Sequence, residues 1–335
     1  MSELKSGKYR RLTLSETVEI LTQKKDTLIL CHARPDCDTV GSAFAMKRLL
    51  EAQGMKVHCI CSNELPKRLQ FLTYVQESLL SENMPDDFSH ERIIAVDTAS
   101  PAQLGALADE YIGRIDLMID HHGKGDQYAD GYIVPDISAT GELIFEISRE
   151  MLRIGAIDSI DSGIDACIYA AISSDTGCFK YSSVSPRTHI IAAELLGSGI
   201  DAAEINRRLF DSKPFIQIKT EQIGTQNLKL YCGGKIAIIE FPYELKKANG
   251  IEDEYMETLI DVARGIEGVE VAAAIRQPTE KGVFRCSMRS NSDIDVSKIC
   301  AMFGGGGHMK AAGCTIEAES ASKAAEMILS VIGEI

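Results

Sequence analysis

The stretch Leu28-Ile29-Leu30-Cys31-His32-Ala33-Arg34-Pro35-Asp36-Cys37-Asp38-Thr39-Val40-Gly41-Ser42 passes from an apolar run, through a polar cluster, into a helical pattern. An apolar strand that ends in polar residues and leads into a helix is the mark of a parallel α/β sheet. Such strands deliver side chains from their carboxyl ends into a shared crevice. His32, Asp36 and Asp38 offer a ring nitrogen and several anionic oxygens within a short span. That set suits Mn²⁺ or another divalent cation and is a poor thiolate-type zinc site. The competing reading is that the two carboxylates cap a helix, which the spacing of Ala43, Met46, Leu49 and Leu50 places at residues 41–53.

The same placement recurs downstream. Arg92-Ile93-Ile94-Ala95-Val96 ends in Asp97, and Asp116-Leu117-Met118-Ile119 runs into Asp120-His121-His122-Gly123. Each ending alone reads as a turn or a cap. Together, His32, Asp36, Asp38, Asp97, Asp120, His121 and His122 would converge on one crevice and repel one another strongly. A bound cation is the simplest relief. A further polar group, Ser173-Ser174-Asp175-Thr176-Gly177, closes an apolar helical stretch at residues 164–174.

Working outward, residues 16–23 read as a short amphipathic helix with Ser15 as its cap, and residues 57–61 and 132–134 as strands. Residues 142–152 form a helix with Leu143, Ile144, Ile147 and Leu152 facing inward. Residues 186–197 open with Pro and close with Gly, as helices do. A second helix covers residues 201–210, and the polar, helix-friendly residues that follow, from 215 to 230, read as a connector. Beyond it, residues 235–241, 269–276 and 283–289 alternate like strands, while residues 254–264, 296–303 and 320–332 have helical spacing. The expected fold class is α/β: an N-terminal domain with a mainly parallel sheet flanked by helices, and a smaller C-terminal α/β domain with a mixed sheet. The boundaries fall at residues 1–212, a helical linker at 213–230, and 231–335.

The composition narrows the function. Of 335 residues 45% are hydrophobic, enough for a core, and no apolar run approaches the roughly 18 residues of a membrane span. Ten cysteines with no apolar signal segment at the N-terminus point to a reducing compartment, hence a cytoplasmic protein. A net charge of −14 excludes broad electrostatic capture of nucleic acid. Charge is nevertheless uneven. Arg276, Lys281, Arg285, Arg289, Lys298 and Lys310 share one segment with only Glu280, Asp293 and Asp295, so a local anion site is open to this chain. The four glycines before His308 read in two ways. They form a flexible loop, or a bare backbone that approaches a phosphate, helped by a helix start.

In order, these segments resemble the DHH phosphoesterase superfamily, named for the triplet seen here as Asp120-His121-His122. The resemblance runs through His32, Asp36 and Asp38 with Gly41-Ser42, then Asp97, then the triplet, then Asp175-Thr176-Gly177. Arg289-Ser290 and Gly304-Gly305-Gly306-Gly307-His308 look like the DHH-associated substrate domain. The resemblance implies two divalent ions, typically Mn²⁺ with Mg²⁺ or Co²⁺ as the other candidates. It assigns His32, Asp36 and Asp97 to one ion, and Asp38, Asp97, His121 and Asp175 to the other. It makes Asp120 a partner that orients neighbouring imidazole rings, and His122 a contact to the scissile phosphate. It implies a substrate-binding role for Arg289, Ser290, Gly304, Gly305, Gly306, Gly307 and His308. The glycine-His domain argues against the pyrophosphatase and polyphosphatase branches. The length argues against the larger RecJ-type exonucleases. The expected activity is that of the nano-RNase and pAp-phosphatase branch, on short RNA oligonucleotides or nucleotide bisphosphates, with no membrane partner and a homodimer as the assembly to test. The alternatives are a stand-alone phosphodiesterase for cyclic di-AMP or pApA, and a nucleotide-binding sensor with an inactive site. The complete ligand set argues against the sensor.

Overall fold

The strands of the first sheet are short, apolar and buried, which is what a sheet covered on both faces requires. The computed structural model describes residues 9–72, 84–85, 87–123, 125–135 and 137–333. It divides into two units, Met1–Ser212 and Lys213–Ile335.

In the first unit, β1 (Thr27–Leu30), β2 (Val57–Ile60), β3 (Arg92–Val96), β4 (Leu117–Asp120) and β5 (Gly131–Ile133) form one sheet in the order β2-β1-β3-β4-β5. All its pairings are parallel; Thr27 lies between Val57 and Arg92, for example. The chain builds outward from β1 to β2, then returns to the other side of β1 to lay down β3. This reversal opens a crevice at the carboxyl ends of β1 and β3, where ligands settle in open α/β sheets.

One face of the sheet carries α1 (Leu14–Thr22), α2 (Cys37–Glu51), α4 (Thr140–Arg153) and α5 (Ser162–Asp175) over Ile29, Cys31, Ile94, Val96 and Ile119. The other face packs Leu28, Leu30, Ile93 and Met118 against Leu104, Tyr128 and α3 (Leu107–Tyr111). The helices approach closely because glycine stands at the contacts. A Cβ on Gly41 would lie 2.5 Å from the Cys167 carbonyl oxygen, and one on Gly141 2.8 Å from Ala171 Cβ. Outside these lie α6 (Pro186–Gly197) and α7 (Ala202–Asn206), the latter capped by Asp201 and continuing into a π turn at Arg207–Asp211.

Several elements differ from expectation. Helix α1 begins at Leu14 and is capped by Thr13, not Ser15, in a reciprocal capping box with Glu16. Helix α2 begins at Cys37 rather than near Gly41, because Asp36 caps it and its first turn is buried polar surface. Leu152, expected to face inward, is exposed, and Met151 fills that position.

The second unit is a mixed six-stranded sheet in the order β10-β11-β9-β8-β7-β6. Its strands are β6 (Leu228–Tyr231), β7 (Ile236–Phe241), β8 (Val271–Arg276), β9 (Val283–Ser290), β10 (Gly306–His308) and β11 (Ala311–Glu317). Only β7 and β8 pair in parallel. One face packs on α11 (Val296–Ala301) and α12 (Ala321–Ile332). The other packs on α8 (Phe215–Gln226) and α10 (Leu259–Arg264), with α9 (Tyr243–Asn249) after β7. The expected linker at 213–230 is therefore α8 plus the edge strand β6. Ile216 and Ile223 of α8 join the apolar cluster around Ile239 and Leu259. The single helix expected at 254–264 is a 3₁₀ turn at Asp253–Met256 followed by α10. No helix among the described residues is long and apolar enough to cross a membrane.

Candidate active site

His32 leaves the end of β1 with its Nε2 3.4 Å from Asp36 Oδ1 and 3.6 Å from Asp97 Oδ2. Asp36 is the cap of α2, and its Oδ1 accepts from the backbone amides of Asp38 (3.0 Å) and Thr39 (3.1 Å). The capping and ligand-type readings of Asp36 thus describe one side chain. Burial pushes its carboxyl up, but the His32 hydrogen bond and charge together with those amides hold it below the usual value.

Asp38 lies in the first turn of α2, fully buried. The start of α4 aims it: Oδ2 accepts from Thr140 N (2.7 Å), and Oδ1 from Gly141 N (2.9 Å) and Ser42 Oγ (3.1 Å). Asp97 follows β3 in the left-handed region, at φ 59°. That conformation costs an L-residue about 1–2 kcal/mol, and it is held by Asp97 N donating to Ile119 O (2.9 Å). The Thr140 hydroxyl donates to Asp97 Oδ1 (2.9 Å), so one residue of α4 sets two buried carboxylates. Burial, then the charges of Asp38, Asp36, Asp175 and Asp120, push the Asp97 carboxyl well above its usual value. Asp175, the last residue of α5, is pushed well up by burial and by Asp38 and Asp36. Burial also raises Asp38, against the opposing pull of His121.

The two histidines of the triplet are held differently. His121 Nδ1 lies 3.2 Å from the Ile137 carbonyl oxygen, which only accepts, so the proton sits on Nδ1. Its Nε2 faces Asp175 Oδ2 (3.4 Å), Asp97 Oδ1 (3.7 Å) and Asp38 Oδ2 (3.8 Å). The Asp38, Asp97 and Asp175 carboxylates gathered around this nitrogen repel one another unless a cation lies between them. The donor set therefore fits divalent metal. His122 Nδ1 bonds instead to buried Asp120 Oδ1 at 2.7 Å. Burial favours the neutral ring, but the Asp120 bond and charge, with Asp38 and Asp36, outweigh it and raise His122. Asp120 thus orients His122 alone, and a backbone carbonyl orients His121.

Three donor groups come within 4.8 Å of one another: His32, Asp36 and Asp97; Asp38, His121 and Asp175; and Asp97, His121 and His122. Asp97 turns Oδ2 toward His32 and Oδ1 toward His121, one oxygen to each side. Thr140, Gly141 and the Ile137 carbonyl have no counterpart in the sequence reading, and Ser42 entered it only as part of the motif, with no role. The helix start at Thr140-Gly141 shows in the sequence, but not the carboxylate its amides would hold.

In the second unit, Arg289 Nη1 donates to Met288 O (2.9 Å), and the buried Ser290 hydroxyl donates to Ser292 O (2.9 Å) and closes a turn. The glycine run follows the carboxyl end of α11; it does not begin a helix, so no helix dipole favours an anion there. Gly304 leaves that helix at φ 70°, and β10 pairs with β11 through Gly306↔Gly313 and His308↔Ala311. A Cβ on Gly305 would run into the Gly313 carbonyl, so this tight hairpin requires glycine. His308 is exposed at its end.

Residues 26–172 match the DHH family, N-terminal domain, and residues 234–334 match the DHHA1 domain. The chain is 27% identical over 310 residues to the bifunctional oligoribonuclease and PAP phosphatase NrnA of Thermus thermophilus, covering 91% of this chain and 89% of that protein. It is 24% identical over 353 residues to the cyclic-di-AMP phosphodiesterase PdeA of Listeria monocytogenes, covering 98% of this chain and 50% of that one. Among solved structures, an exopolyphosphatase-related protein from Bacteroides fragilis superposes with a TM-score of 0.87 at 23% identity, over 96% of this chain and 95% of that chain. That likeness shows a shared fold.

Proposed function

The chain carries a DHH family N-terminal domain and a DHHA1 domain, and from that premise we propose that it is a divalent-metal phosphoesterase acting on very short RNA and on the 3′-phosphate of pAp. The observation that carries the proposal is the gathering of the Asp38, Asp97 and Asp175 carboxylates around His121 Nε2, with Asp97 divided between two donor groups. His32, Asp36 and Asp97 would hold one ion, and Asp38, Asp97, His121 and Asp175 the other. Mn²⁺ is favoured because the set is oxygen-rich, contains imidazole and lacks thiolate. Bound cations would supply Lewis acidity toward the phosphate oxygens and a more acidic water.

The chain's own groups do the rest. Thr140 and Gly141 keep Asp38 and Asp97 aimed before substrate arrives. His122, whose pKa Asp120 raises, would give a proton to the leaving oxygen as the P–O bond breaks. Arg289, Ser290, the Gly304–Gly307 backbone and His308 are proposed to contact a substrate phosphate away from the reacting one. The similarity to the Thermus protein, which covers most of both chains, supports the substrate class. All ten cysteines are free thiols, which supports a cytoplasmic location.

The test is a panel of initial rates on pAp, pApA, cyclic di-AMP and RNA of two to 24 nucleotides, after chelator treatment and after return of Mn²⁺. Activity should vanish with chelator and return with Mn²⁺, highest on the dimer-to-pentamer RNAs or pAp. A maximum on cyclic di-AMP would move the chain to the activity named for the Listeria relative. Asp97→Ala should lose bound metal and at least about a hundredfold in rate, since it takes a donor from both groups. Near-normal turnover and metal content in that variant would sink the two-metal reading.

A further inference from the structure

The outer face of the second sheet holds two arginines where a sheet ordinarily avoids them. Arg276, the last residue of β8, stands directly opposite Arg285 of β9 in the antiparallel register. Like charges directly opposite one another on a sheet are destabilising. Among the described residues neither guanidinium has a carboxylate within 4 Å. Arg276 makes one hydrogen bond, Nη2 to Ser287 Oγ at 3.1 Å, and its Nε is buried with no partner. Burial lowers its pKa, Glu257 and Asp253 oppose that from a distance, and Arg285 adds to it. A half-buried guanidinium with a buried, unpartnered Nε and no bonded anion is a costly group to keep.

The surroundings suit a ligand. Helices α8 and α10 cover this face mainly over β7 and β8, where Ala237, Ile239, Ala272 and Ala274 pack beneath Leu259. Helix α10 also reaches the end of β9, where Asn291 Nδ2 donates to Arg264 O. Over β9 and β11 the same face presents half-buried Ser287 and Arg289, and exposed Arg285, Gly313 and Thr315. Thr315 stands opposite Arg285 on β11. Arg285, Ser287 and Arg289 follow one another at every second residue, about 6.7 Å apart along the strand. This floor is basic, with small side chains at its centre.

We propose that Arg276, Arg285 and Ser287 form an anion subsite on the outer face of the second sheet, which takes a phosphate of a short oligonucleotide. The oligonucleotide as carrier of that phosphate rests on the proposed phosphoesterase reading; the anion subsite itself does not. Paired guanidiniums and a hydroxyl match the oxygens of one phosphate, and the anion removes the repulsion between the two arginines.

The test uses the full chain with chelator present, so that binding is read without turnover. The probes are a fluorescein-labelled adenosine trinucleotide, read by anisotropy, and inorganic phosphate, read by the shift in Tm. Arg285→Gln should weaken trinucleotide binding about tenfold or more and reduce the slope of log affinity on log salt by about 0.7. Arg276→Lys, which keeps the charge and loses the fork, should weaken binding without altering that slope. In phosphate-free buffer Arg285→Gln should melt higher than the parent, and its Tm should no longer respond to phosphate. A lower Tm would show Arg285 holding the fold and would overturn the subsite, as would unchanged binding of both probes. Loss of the phosphate response with unchanged trinucleotide binding would overturn the oligonucleotide and leave a free-phosphate site. None of these readouts depends on hydrolysis, so an inactive rate panel would fail the enzymatic reading and leave this one standing.

Discussion

Asp120 and His122 are joined at 2.7 Å, and His122 Nδ1 also lies 3.8 Å from Asp97 Oδ1 at the edge of the shared centre. A carboxylate on Nδ1 favours the charged ring and leaves Nε2 as the atom that can donate a proton. If that proton goes to the leaving oxygen, its importance depends on how basic that oxygen is. Asp120→Asn should therefore slow release of a ribose oxygen roughly ten- to hundredfold. The loss on a p-nitrophenyl phosphodiester, whose leaving group needs no proton, should be much smaller. Measuring kcat on both esters, with bound metal assayed in parallel, checks this. Equal losses on the two esters, or loss of metal, would assign Asp120 to the metal-holding groups instead. His121 is a useful contrast in the same triplet. Its orienting group is a main-chain carbonyl, and no side chain in the sequence could have announced it.

At the scale of elements, the centre depends on how closely α2 and α4 approach α5. Gly141 serves twice: its amide donates to Asp38, and its missing Cβ lets α4 lie against Ala171. Gly141→Ala should destabilise the chain by about 1–3 kcal/mol through overpacking, seen as a lower urea midpoint. It should also weaken metal binding by moving the Thr140 and Gly141 amides away from Asp38. A variant with native stability and native metal affinity would show that this contact does not position the site. The legible elements were those with strong side-chain signals. A strand buried on both faces is an unbroken apolar run, so β1, β3 and β4 and their polar ends stood out around His32, Asp97 and Asp120. Strand β11 did not, because its buried positions, Ala312, Cys314 and Ile316, are mostly small and Gly313 interrupts them. Helix α8 and strand β6 read as a connector because polar residues interrupt them throughout, while Ile216, Ile223 and Leu228 do the packing and Phe215, Ile218 and Leu230 stay exposed. The first turn of α2 was hidden for the opposite reason: Asp38, Thr39 and Ser42 are polar residues buried for the site, and a hydrophobic pattern cannot register them.

For the molecule as a whole, charge limits what can be bound. The chain carries a net −14, so a long RNA strand meets repulsion everywhere except near local basic groups such as Arg276, Arg285 and Arg289. A dimer or trimer has few phosphates beyond the one that reacts and the one such a patch can take, whereas a 24-mer adds many more to a chain of net negative charge. Repulsion of this kind acts over about 10 Å at 0.1 M salt and about 3 Å at 1 M. The attraction at the basic patch is screened by the same salt, so both substrates should lose kcat/KM as salt rises. The 24-mer, however, is relieved of a penalty that the trimer never had. The trimer should therefore be preferred strongly at low salt, and the ratio of the two kcat/KM values should narrow as salt rises. If the preference came only from a closed pocket that cannot admit a longer strand, the ratio would not respond to salt. Initial rates for both substrates from 0.02 to 0.5 M KCl, on the order of one to a few Debye lengths across the surface, separate the two. A ratio that is flat with salt, or a 24-mer degraded as fast as the trimer at low salt, would remove electrostatics as the source of length selection.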